Sequence, residues 1–93
     1  LNHLSTRTGR VLRSVSITAP NAEQGQLFLE GLPLSPGEHA VQCFRGVPMT
    51  LEFQPTTGWE FAGWKGLDTD GPIETQDLSR AKNIRPVVRS LGL

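Results

Sequence analysis

Three aromatic side chains that are able to bind a ligand are concentrated in one short stretch, WEFAGW (59–64). The whole chain has only six aromatic residues, two Trp and four Phe. Trp59, Phe61 and Trp64 in an open row would form a stacking platform for the apolar face of a sugar ring, so Trp59 and Trp64 are the candidate ligand-binding residues. The alternative is that all three fill the core of a small domain that has few other large side chains. We expect the core.

A second candidate is the acidic segment 68–77, which begins with DTDG. An EF-hand calcium loop has its glycine at the sixth position and a bidentate glutamate at the twelfth. Here Gly71 comes fourth, so Glu74 and Asp77 would have to supply oxygens in a different geometry. We therefore expect a solvated acidic loop, with no metal ion and no cofactor.

The one cysteine and the two histidines offer a third kind of chemistry. His39 and Cys43 are a base and a nucleophile on the same face of an expected strand, but positions four apart in a strand are roughly 13 Å apart. They cannot share a hydrogen bond, and Cys43 is expected to be a small core residue. A single cysteine forms no intrachain disulfide, and no zinc motif is present. The chain is predicted not to be an enzyme.

Charge and hydropathy exclude several kinds of partner. Nine basic and nine acidic side chains cancel, which gives no electrostatic reason to expect nucleic acid as a partner. No run of about 18 apolar residues is present, so no membrane span is predicted, and the sequence has no signal-peptide pattern. The chain begins with Leu and is expected to be a fragment or a processed product.

Basic residues are nevertheless concentrated near the two ends of the sequence. They are Arg7, Arg10 and Arg13 on one side and Arg80, Lys82, Arg85 and Arg89 on the other. Charged residues of this kind usually lie on solvated loops and strand faces, and we expect that here. The alternative is a basic surface that the two ends form together.

The pattern of apolar residues has a period of two over most of the chain, which is typical of β-strands. It predicts strands at 11–18, 26–30, 39–44, 47–54, 59–64 and 82–89, with 73–78 either a short strand or irregular. We predict an all-β fold, a small antiparallel sandwich or partly open barrel of six or seven short strands. The alternative is an α+β, β-grasp-like fold, which requires a helix that the sequence does not show. Residues 1–10 are expected to end a preceding element or linker, and 11–93 to form a single β-module.

Several local features of these strands are also predicted. Pro48 should begin a strand or lie at an edge, since proline has no backbone donor. Gly63 should allow a β-bulge that returns Trp64 to the face of Trp59 and Phe61. The short Arg45–Gly46 spacing suggests a hairpin, and 31–37 is expected to be a connection. The expected core residues are Leu51, Phe53, Trp59, Phe61, Trp64, Ile84 and Val88.

The segment 46–66, GVPMTLEFQPTTGWEFAGWKG, resembles the divergent internalin-type B-repeat of bacterial proteins. That family reads as a strand of alternating apolar residues, a Pro-x-x-Gly turn, an aromatic residue, and then Phe-x-Gly-Trp. The matching positions are Pro55, Gly58, Trp59, Phe61, Gly63 and Trp64, and the family's last strand matches 83–88. The resemblance covers about 14–90. It departs from the family at Trp59, where Tyr is usual, and at 67–78, where the family has a simpler sequence.

The first residues carry a second resemblance. LNHLSTRTGRVL (1–12) followed by such a repeat is similar to the end of a spore-coat-H-type kinase-like domain, in which case the kinase-like chemistry lies upstream. Together these resemblances imply an extracellular or bacterial cell-surface protein, in which this chain is a non-catalytic structural or accessory module, next to another domain of the same chain. The alternative is a carbohydrate- or surface-binding module that binds polysaccharide or a cell-surface component through its aromatic residues. We expect a monomer.

Overall fold

The computed structural model describes residues 12–69 and 71–92, and the elements in them are eight β-strands. The strands are β1 Leu12–Ala19, β2 Gly25–Leu29, β3 Leu32–Leu34, β4 Gly37–Phe44, β5 Pro48–Pro55, β6 Trp59–Lys65, β7 Ile73–Asp77 and β8 Asn83–Ser90. The predicted all-β fold is confirmed, and the described residues have no helix of the kind that a β-grasp arrangement requires. The element or linker predicted at 1–10 lies outside the described residues.

The strands form two four-stranded sheets that do not close into a barrel. The order is β4-β1-β8-β6 in the first sheet and β3-β2-β5-β7 in the second. All pairs are antiparallel except β1 with β8, in which Ser16 lies beside Asn83 and Ile17 beside Ile84. Parallel neighbours need a long connection between them, and here that connection contains six other strands.

The Arg45–Gly46 turn does not form the predicted hairpin. β4 pairs with β1, and β5 pairs with β2, so the turn takes the chain from one sheet to the other. The amide of Val47 donates to the carbonyl of Phe44 at 3.1 Å and closes a tight turn. A short turn between two strands is compatible with a hairpin in one sheet and with a crossing between two sheets. Here it is a crossing, and β4 and β5 each turn one face toward the core.

An unpredicted strand, β3, comes from a hairpin inside the segment expected to be a connection. Glu30 and Gly31 have φ angles of 52° and 80°, which is the left-handed pair of a two-residue hairpin turn. Glutamate is not a typical residue for that turn. Its carboxylate accepts a hydrogen bond from the Thr50 amide at 2.6 Å, and its own amide donates to the Thr50 carbonyl, so contacts with β5 hold the turn in place.

The core lies between the two sheets and takes side chains from both. The buried apolar residues are Val15, Ile17, Ala19, Leu27, Cys43, Leu51, Phe53, Trp64, Leu78 and Ile84. β1 and β5 contribute alternate residues to it, as their two-residue period predicted. Pro48 is the first residue of β5, and the register of β6 against β8 shifts between Phe61 and Gly63. Both agree with the sequence prediction of a strand start and a bulge.

Candidate functional site

The aromatic residues of β6 meet β5 in a cluster inside the core. The Phe61 ring lies 6.2 Å from the Phe53 ring and 5.2 Å from the Trp64 indole, centroid to centroid, and the second pair is edge-to-face. Edge-to-face contacts at this distance are favourable for aromatic rings. Phe53 and Trp64 are buried, and Phe61 is half-buried against them. The bulge at Gly63 is what makes this possible, because it returns Trp64 to the side of Phe61.

The indole nitrogen of Trp64 is satisfied from within the chain. Nε1 donates to the carbonyl of Gly71 at 2.7 Å, which ties β6 to the loop that leads into β7. A buried Trp N–H usually has such a partner. With only 7% of its surface exposed, Trp64 does not offer a face to a sugar.

Trp59 is placed differently from the other two aromatic residues of the predicted platform. It begins β6 opposite Ser90, is half-buried, and lies outside the cluster of buried residues and the side chains packed on it. The remaining residues expected in the core are placed as follows: Leu51 and Ile84 are buried, and Val88 is half-buried against the cluster. The structure therefore gathers Phe53, Phe61 and Trp64, and separates Trp59 from them.

Cys43 and His39 both lie on β4 with other partners. Burial raises the pKa of the Cys43 thiol, and the Asp77 carboxylate nearby raises it further. A thiol whose pKa is raised has less of the nucleophilic thiolate. The Nε2 of His39 lies 2.7 Å from the carbonyl of Ser35, so the imidazole is held by the backbone.

Carboxylates of the acidic segment bind backbone amides. Glu74 accepts a hydrogen bond from the Gly71 amide at 3.3 Å. Asp77 accepts one from Gly46 and one from Ser79, each at 2.9 Å. Asp70 lies outside the described residues, and within 12–69 and 71–92 no group of three or more His, Cys, Asp or Glu side chains is able to hold a metal ion.

Asp77 joins the end of β7 to the turn that connects the sheets. Its pKa is lowered from 3.8 to about 2, first by the nearby Ser79 hydroxyl and then by the amides of Gly46 and Ser79. The Ser79 hydroxyl is buried and makes no hydrogen bond of ordinary geometry within the described residues, so the two amide hydrogen bonds are the contacts that hold the carboxylate. The carboxylate form is the one that holds these segments together.

Asp77 is expected to make the domain less stable in acid. A carboxylate whose pKa is lowered by folding stabilises the fold fully above its unfolded pKa, and this stabilisation is lost as the pH falls toward the folded pKa. For Asp77 that range is from about pH 4 down to about pH 2. In urea titrations across this range, Asp77→Asn should show a shallower loss of unfolding free energy than the wild type. Identical slopes for the two proteins would contradict this role.

A cleft of about 310 Å³ lies beside Ser79. It is lined by Arg13, Ser14, Arg45, Ser79, Arg80, Ala81 and Lys82. These residues come from β1, from the turn between the sheets, and from the connection between β7 and β8. Arg13, Arg80 and Lys82 belong to the basic residues near the two ends of the sequence. Arg45 was not predicted from the sequence to join them, because its position depends on where the turn crosses between the sheets.

Comparison with known proteins adds no relative. No family model, no curated protein and no solved structure matches this chain. In the described residues, there is no helix with the length and hydropathy needed to cross a membrane.

Proposed function

We propose that this chain is a non-catalytic structural or accessory module of a larger secreted or surface-attached bacterial protein. The observation that carries the proposal is the position of Trp64, since this indole, one of the two candidate ligand-binding residues, is buried against Phe61 and bonded to Gly71. Two side chains that are able to do chemistry also have structural positions: Asp77 accepts hydrogen bonds from two backbone amides, and Cys43 is buried in the core. The bacterial and extracellular parts of the proposal come from the resemblance to the B-repeat.

A second candidate function is binding of a polysaccharide or cell-surface component. One observation favours it: Trp59 is half-buried and lies outside the core cluster. A single indole is a small platform, so this function would depend on Trp59 together with neighbouring polar groups.

Tryptophan fluorescence separates the two functions, because the chain has two Trp residues in different environments. Trp59→Phe leaves Trp64 as the only reporter, and Trp64→Phe leaves Trp59. We expect Trp64 to emit at short wavelength and to resist acrylamide quenching, and Trp59 to be quenched more strongly.

Titration with xylan, laminarin and solubilised peptidoglycan then tests for a ligand. The structural function predicts no saturable change in either variant. A saturable shift carried by Trp59, lost in Trp59→Ala, would replace the structural function with the binding function.

A further inference from the structure

The basic cleft is built by the topology of the first sheet. The parallel pairing of β1 with β8 places the start of β1 beside the segment that enters β8, and the amide of Ser16 donates to the carbonyl of Lys82 at 3.0 Å. β4 pairs with β1 so that Arg13 lies opposite Cys43, which brings the following turn, with Arg45, to the same end. Four cationic side chains distant in sequence therefore line one concave surface.

The charge in this cleft is not balanced by acidic side chains of the lining. The chain as a whole has equal numbers of acidic and basic residues, but the lining residues include four bases and no acid. Asp77 lies close enough to Arg80 for this cation to help lower its pKa. Its carboxylate is not among the lining residues, however, and it already accepts hydrogen bonds from the Gly46 and Ser79 amides. The ion pair found in the described residues joins Arg89 to Glu60, and neither of these residues lines the cleft. Like charges held together repel each other, and a bound anion would relieve that repulsion.

We propose that this cleft binds a tetrahedral oxyanion, the phosphate or sulfate group of a larger ligand. Arginine presents parallel N–H donors that match two oxygens of such a group, and lysine adds a further charge. Three arginines and one lysine suit a group with several oxygens and more than one negative charge better than a single carboxylate.

The size of the cleft indicates that more than a bare ion fits. Since a cavity that holds one water molecule needs only about 10–15 Å³, the cleft of about 310 Å³ is much larger than a site for one small ion. That is enough for the oxyanion and the first atoms of the molecule that carries it.

Titration of the isotope-labelled chain by NMR in low salt tests this site, with pyrophosphate, inorganic phosphate and sulfate as probes. We expect saturable shifts of the Ser14, Arg45 and Arg80 amides, and weaker binding as the salt concentration rises. The probe that binds most tightly shows whether a phosphate or a sulfate source is preferred. No saturable shift with any of the three probes would overturn the proposal.

Matched variants separate a defined site from general attraction to a basic protein. The double variant Arg13→Gln/Arg45→Gln should weaken binding at least tenfold. The control Lys65→Gln/Arg85→Gln removes the same charge from an exposed pair across β6 and β8 and should change binding less than twofold. Equal loss in both would refute the site. If the first variant does not fold, Lys82→Gln alone should weaken binding at least threefold, and unchanged binding in it counts against the cleft.

Discussion

Replacing Trp64 by alanine is expected to lower the free energy of unfolding by about 3–5 kcal/mol. Trp64 is 7% exposed, contacts Phe61 edge-to-face, and donates its indole N–H to Gly71. Alanine would remove the ring contact and the hydrogen bond, and it would leave a cavity between the sheets. A domain of this size is stable by about 5–15 kcal/mol, so this loss would be a large part of its stability. Urea denaturation followed by circular dichroism measures the change.

Two further variants show which part of the indole matters. Trp64→Phe retains a ring against Phe61 but cannot donate to the Gly71 carbonyl, so it should cost about 1–3 kcal/mol for the unmade hydrogen bond. Trp59→Ala is the matched control, because Trp59 is half-buried and outside the core cluster; it should cost less than Trp64→Ala. An unchanged melting temperature in Trp64→Ala would refute the core position of this residue.

Replacing Gly66 by alanine should be similarly damaging for a different reason. Gly66 has a φ of +96°, and a Cβ placed on it would lie 2.0 Å from the carbonyl oxygen of Asn83 and 3.0 Å from its carbonyl carbon. Both are backbone atoms at the start of β8, so no side-chain rotation relieves the clash. We expect a loss of about 4 kcal/mol or more, which is the range of exceptional single substitutions.

Gly58 provides the control for Gly66, since it has a nearly equal φ of +94° but nothing within 4 Å of the position that a Cβ would take. Gly58→Ala therefore isolates the cost of the left-handed backbone, about 1–2 kcal/mol. The difference between the two variants in urea denaturation measures the contact with Asn83. Equal destabilisation would mean that β6 and β8 adjust to the added methyl group.

The strands were predictable from the sequence to the extent that their own residues determine them. Alternation over β1 and β5 shows which residues face the core, and the glycine between Phe61 and Trp64 indicates the bulge. β3 was not predictable, because Glu30 adopts its left-handed conformation through contacts with Thr50 on another strand. The parallel pairing of β1 with β8 joins residues more than sixty positions apart, and no local pattern encodes it.

The positions of the candidate site residues were likewise predictable from the sequence only in part. The scarcity of aromatic residues indicated that Phe61 and Trp64 belong to the core, but alternation gives the face of a residue and not its depth. Trp59 has the expected face yet lies at the start of its strand, outside the cluster. The basic residues near both ends were visible in the sequence, whereas the addition of Arg45 depends on a turn that resembles a hairpin and instead crosses between sheets.

The parallel neighbours β1 and β8 also have a consequence for how mechanical force would act on this fold. The first residue of β1 and the last residue of β8 lie at opposite ends of their shared sheet, since the two strands run in the same direction. Tension applied through Leu12 and Ser90 would slide the strands along each other and load their hydrogen bonds together. Both strands are also flanked, by β4 and by β6. Such a geometry loads the bonds of this parallel pair in shear, whereas the bonds of a terminal hairpin open one after another.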